Sequence, residues 1–243
     1  MGNFDTTSSF AIILLAALTH ASFQLSISVL TLLSGHALGR KTAHLRLLRL
    51  TGGFILGAGV MTVLMVSFIA YLLQTLMPNA TPGIVWAAYS GGVVGVGVSV
   101  WLFYWRREPG TSLWIPRGFA RYLADRSKAT KNSAETFSLG LTSIIGELLF
   151  TFAPIAVSAL VLIRLPLAEQ LLGILLYAGV SLLPLLIVGL LIGGGHKLSD
   201  IQRWREANKR FLQFAAGGGL LILGAFVYVQ QVVTTAAMAT GGY

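Results

Sequence analysis

The sequence predicts an all-α polytopic membrane protein of six transmembrane helices in a 3+3 inverted-topology repeat. Three observations lead there. Charges are too few to cover a soluble globule, six apolar runs have spanning length, and the basic residues collect in three of the segments between them. Charged residues make up 10 % of the 243, against a hydrophobic fraction of 55 %, whereas soluble domains carry about 25 % charged residues. Most of the molecular surface must therefore face lipid.

A spanning helix needs about 20 mainly apolar residues. The runs that qualify lie at 9–33, 50–76, 82–105, 137–163, 167–191 and 211–233. The residues before the first run, Met1 to Asp5, carry no basic n-region, and the run itself is too long for a signal h-region. The first helix is therefore expected to be retained. Arg40, Lys41, Arg46 and Arg49 separate runs 1 and 2. Arg106, Arg107, Arg117, Arg121, Arg126, Lys128 and Lys131 separate runs 3 and 4, and Lys197, Arg203, Arg205, Lys209 and Arg210 separate runs 5 and 6. Basic segments are held in the cytoplasm. The reading is thus a multi-pass protein of the cell (inner) membrane, with basic loops inside and both termini extracytoplasmic. Retained loops account for the net charge of +9 without a nucleic-acid partner.

Residues 1–105 then form the first three-helix half, 106–136 a basic linker, and 137–243 the second half. In the linker, Trp114, Ile115, Phe119, Tyr122 and Leu123 alternate with Arg117, Arg121 and Arg126. That spacing suits a short interfacial helix, with aromatics at headgroup level and cations near anionic lipid.

The two halves carry local matches. Gly53-Phe-Ile-Leu-Gly-Ala-Gly-Val60 lies over Gly173-Ile-Leu-Leu-Tyr-Ala-Gly-Val180, and Ser90-Gly-Gly92 over Ala216-Gly-Gly218. His20-Ala-Ser-Phe23 lies over Glu147-Leu-Leu-Phe150. Three helices per copy is an odd number, so the second copy enters the membrane inverted, as in many secondary transporters. The pairs Gly53/Gly57, Gly91/Gly95 and Gly189/Gly193 read as small-residue seams for close helix packing.

Of the eight acidic residues only Glu147 falls deep within a run, where an ionisable group costs roughly 3 kcal/mol. The first run carries the other polar concentration: Thr19, His20, Ser22, Gln24, Ser26, Ser28 and Thr31. Equivalent positions near the midplane of an inverted repeat face each other, so His20 and Glu147 are expected to meet at the centre. Imidazole both accepts and donates protons near neutral pH. The pair is expected to couple proton movement to substrate, with Gln24 and Thr151 as polar contacts; a purely structural bond between helices 1 and 4 is the competing reading. Pro154 frees the carbonyl of Phe150 and is expected to break helix 4, with Pro184 a second break in helix 5.

Six helices, an inverted repeat, polar first and fourth helices, the run from Ser22 to Gly39 and Thr51-Gly-Gly-Phe-Ile-Leu-Gly-Ala-Gly59 together give the chain its resemblance to the LysE-type exporter superfamily. That group is linked to the DsbD/CcdA membrane domain. The LysE type opens with a Pro-Gly-Pro turn that helix 1 does not contain. The CcdA type carries Pro-Cys pairs, whereas Ile155 follows Pro154 here. The chain has no cysteine, which excludes thiol electron transfer and disulfides. The resemblance implies export of a small solute.

The expected function is a secondary transporter, a proton-coupled exporter of an amino acid or cation by alternating access. The alternative is a non-catalytic assembly or docking subunit that binds a partner through its basic loops. No HExxH, paired-carboxylate or Gly-x-Ser-x-Gly signature occurs, so an enzyme is not expected. No cofactor is expected either. His20 and Glu147, even with Asp5, fall short of the shell a resident metal wants. The partners are then the bilayer and a small-molecule or ion substrate, with homo-oligomerisation left open.

Overall fold

The computed structural model describes residues 6–23, 43–77, 82–104, 117–130, 132–196 and 198–233, which contain helices and no strand. The helices are α1 (Thr6–Ser22), α2 (Ala43–Leu76), α3 (Gly83–Ser99), α4 (Arg117–Ala129), α5 (Ser133–Leu162), α6 (Leu167–Ser181), α7 (Leu183–Gly193), α8 (Leu198–Ala207) and α9 (Lys209–Tyr228). Wider π-helical turns at Val100–Tyr104 and Val229–Val233 extend α3 and α9.

Three straight helices, Leu45–Leu76, Gly83–Phe103 and Lys209–Val233, are long and apolar enough to cross a membrane. Two bent pairs, the arms of α5 and α6 with α7, raise the number to five if each pair is one span. Of the first predicted run only the α1 part is described. It has 17 residues, short of a full crossing, and its continuation lies outside the described residues. Among the described residues three to five segments therefore qualify as spans by length and composition, where six were expected along the whole chain.

Local chemistry sets the ends. α5 starts at Asn132, whose side chain accepts from the Glu135 N–H at 2.9 Å while its amide donates to Glu135 Oε1 at 2.9 Å. The first bond satisfies one of the donors that a helix start leaves orphaned, and the second ties the two side chains together. α2 begins at Ala43, seven residues before its apolar run, because the added turns are amphipathic: Leu47 and Leu50 are buried, while Leu45 and Leu48 are exposed. Hydropathy alone does not register such an extension. α6 ends at Ser181, Leu182 caps it, and α7 leaves at 50° with Pro184 in its first turn. Proline is tolerated there because a first-turn N–H has no intrahelical acceptor.

The chief distortion is in α5. Its arms Ser133–Leu148 and Phe150–Leu162 diverge by 89°. Pro154 has no N–H for the Phe150 carbonyl, and its ring crowds that carbonyl, so the kink falls one turn before it. The outer arm runs through the interior: Ile155, Val157, Ala159, Leu160, Val161 and Leu162 are all buried. A helix apolar on all sides belongs in a core.

α2 packs along α5, α3 along α9, and α1 touches α5, α6 and α9. Glycines set the closest approach. A Cβ on Gly140 would strike the Phe54 carbonyl and come within 2.9 Å of the Ala58 nitrogen, and one on Gly57 would strike the Phe137 carbonyl. Gly189 and Gly193 of α7 likewise take side chains of α2, Ile55 and Leu48. The expected Gly91/Gly95 seam is not a contact among the described residues: a Cβ added at either would meet no neighbouring atom within 4 Å. The buried residues form two clusters. The larger joins α1, the outer arm of α5, α6, α3 and α9. The smaller gathers Leu47, Leu50, Phe54, Leu123, Leu139, Ile192 and Ile201 at the end bearing the basic segments.

Candidate functional site

Two ionisable side chains meet inside the bundle. His20 is on the last turn of α1, and Glu147 is beside the elbow of α5. His20 Nε2 lies 3.9 Å from Glu147 Oε2, and each residue is only 3 % exposed. Water is thus excluded, and charge interactions gain strength in the low local dielectric. At 3.9 Å the contact is electrostatic; a closure of about 1 Å brings it to hydrogen-bond length.

The other ring nitrogen is engaged too. Nδ1 lies 2.8 Å from the hydroxyl of Tyr177 on α6, and the rings are tilted at 58° with centroids 5.6 Å apart. Tyr177 is wholly buried. When its hydroxyl donates to Nδ1, the ring proton sits on Nε2 and faces the carboxylate. When the carboxyl carries a proton, Nε2 can accept it, Nδ1–H donates to the tyrosine oxygen, and the hydroxyl turns from donor to acceptor. One hydrogen-bonded position therefore serves both protonation states.

The elbow is braced around this pair. Phe23 stacks on Phe150, with centroids 5.5 Å apart and planes at 15°. The Tyr89 hydroxyl of α3 donates to the Ala153 carbonyl. The end of α1 and α3 thus meet α5 over the two turns between Glu147 and Ala153, and α6 joins them through His20.

Among the residues singled out by sequence, His20 and Glu147 come together as expected. Thr151 is buried, but its hydroxyl donates to the backbone carbonyl of Glu147 at 3.2 Å; this bond braces the helix rather than the carboxylate. Pro154 is buried and lies two turns beyond Glu147. Gln24 and Asp5 lie outside the described residues. Thr19 and Ser22 bond back to the carbonyls of Leu15 and Thr19, so these bonds serve the helix's own backbone. His196 is exposed at a helix end. Tyr177 and Tyr89 are additions that sequence reasoning did not supply. The available signal was the mismatch in the repeat, where Tyr177 stands over Gly57.

Among the described residues no group of three or more His, Cys, Asp or Glu converges as a metal shell would. What the arrangement can do is hold one exchangeable proton between an imidazole and a carboxyl, with a tyrosine following its position. Comparison of the chain with protein-family models, curated proteins and solved structures gives no match.

Proposed function

We propose that the chain is a secondary transporter: a proton-coupled exporter of a small solute working by alternating access of two inverted halves. Its basic segments lie in the cytoplasm and its termini outside. The observation that carries this reading is the enclosed His20–Glu147 contact at the elbow of α5. Ionisable groups at membrane depth are expensive and are kept where they have a task, and a broken helix beside them is a recurrent way to build a midplane site.

Loading one proton neutralises the pair, and unloading restores the carboxylate charge. The Tyr177 hydroxyl reverses its bond with each step, which ties α6 to the loading state. The inverted repeat has support from two pairs of matched positions that touch each other, His20 with Glu147 and Phe23 with Phe150. Residues at equivalent positions meet in this way on a pseudo-twofold axis. The resemblance to LysE-type exporters points to the same class of function.

The docking-subunit reading draws on a specific observation as well: the pair is sealed from solvent, which a solidly packed subunit would also display. Flux separates the two. Purified protein in proteoliposomes is screened over amino acids and divalent cations with and without a pH gradient. The transporter reading expects gradient-driven flux that Glu147→Gln uncouples from pH. Flux whose pH dependence survives Glu147→Gln removes the coupling role, and the absence of any flux favours docking.

A further inference from the structure

Two short helices at the basic end of the bundle share one design. α4 buries Leu123 and Ser127 and exposes Gly118, Arg121, Tyr122, Asp125 and Arg126. α8 buries Ile201 and exposes Asp200, Arg203, Trp204 and Ala207. Leu123 and Ile201 belong to the same apolar cluster as Leu47 and Leu50 of α2 and Ile192 of α7. Both helices are therefore anchored through a buried aliphatic residue to the same end of the bundle, and each sets an exposed arginine beside an exposed aromatic. At 13 and 10 residues neither can span a bilayer. The surface continues into α9, where Arg210 and Phe211 are both exposed.

We propose that α4 and α8 form a binding platform for anionic phospholipid headgroups. Tyr122, Trp204 and Phe211 are 49 %, 59 % and 67 % exposed. Amphipathic rings of this kind settle at the headgroup boundary, which the starts of α2 and α9 reach at this same end. A site for a soluble polyanion has no use for these exposed apolar faces. A guanidinium matches phosphate with two parallel N–H donors; Arg203 is paired with Asp200 at 2.5 Å, so Arg121, Arg126 and Arg210 are the groups assigned to the headgroup. Cations exceed acids across the platform: Arg121, Arg126, Arg203, Lys209 and Arg210 stand against Asp125, Asp200 and Glu206. The inference does not depend on transport; a docking subunit would carry the same platform.

The test is lipid retention by the purified full chain, read by native mass spectrometry after exchange into phosphatidylcholine or phosphatidylglycerol. Phosphatidylglycerol is expected to be retained in preference. Arg121→Gln, Arg126→Gln and Arg210→Gln should each weaken that retention roughly fivefold, whereas the corresponding lysine variants keep it. Added salt should weaken it as well. Thermal unfolding of each variant verifies that it is folded. Equal retention of the two lipids, or a triple glutamine variant that still prefers phosphatidylglycerol, overturns the proposal. Displacement of the lipid by an acidic polypeptide at physiological salt also overturns it, in favour of a protein partner.

Discussion

The contact between α2 and α5 has no room for a methyl group, and Gly140→Ala measures how much stability that closeness contributes. A Cβ at this position falls 2.9 Å from the Ala58 nitrogen and closer still to the Phe54 carbonyl, where ordinary contact begins near 3.4 Å. Both obstacles are backbone, so neither can rotate away. The helices must part by at least half an ångström, and a gap of that order forfeits a quarter or more of the dispersion energy of the contacts involved. Overpacking of this kind costs about 1–3 kcal/mol. Alanine returns roughly 0.5–1 kcal/mol through its better helix propensity. The expected net loss is about 1–2 kcal/mol. Gly179→Ala is the matched control, since nothing lies within 4 Å of that position; it should be neutral or slightly stabilising. Reversible unfolding in mixed micelles, followed by tryptophan fluorescence, reads both variants. Wild-type stability in Gly140→Ala, or an equal loss in both variants, refutes the reasoning.

Pro154→Ala should relax the elbow of α5. For spin labels on cysteines introduced at Ser138 and Arg164, helical rise gives roughly 39 Å along a straight helix and about 28 Å around a right-angled bend. The natural chain has no cysteine to confuse the labelling. A distance that does not lengthen in Pro154→Ala assigns the bend to packing instead of proline. Tyr177→Phe leaves His20 Nδ1 without its 2.8 Å partner in a buried site, which should cost about 1–3 kcal/mol of stability. In a chain that carries flux it should also shift the pH profile. Unchanged values for both would remove Tyr177 from the site.

What was legible in the sequence is what depends on composition and on rare residues. A carboxylate and an imidazole in apolar runs stand out because each is costly there, and their match in the repeat is enough to place them together. A short helix in the linker was visible in its arginine–aromatic alternation, and α4 occupies part of that segment. Other features left weaker traces. Tyr177 and Tyr89 sit in apolar stretches where an aromatic is unremarkable, and only the fold brings their hydroxyls to His20 and to the α5 elbow. The early start of α2 was hidden because Arg46 and Arg49 interrupt the hydropathy that Leu47 and Leu50 would otherwise extend. The open faces of Gly91 and Gly95 were misread for a related reason: spacing identifies a seam, but not whether a second helix occupies it.

The separation of His20 from its partners along the chain has a consequence for biogenesis. Glu147 is made 127 residues after His20, and Tyr177 a further 30. At about 5–20 residues per second, the imidazole waits roughly 6–25 s for the carboxylate. During that interval the imidazole has neither the carboxylate nor the tyrosine hydroxyl that meets it in the finished fold. Until then the ring nitrogens of nascent α1 must find other hydrogen-bond partners or be left unsatisfied. The burden of the pair falls on the growing chain before it falls on the folded one.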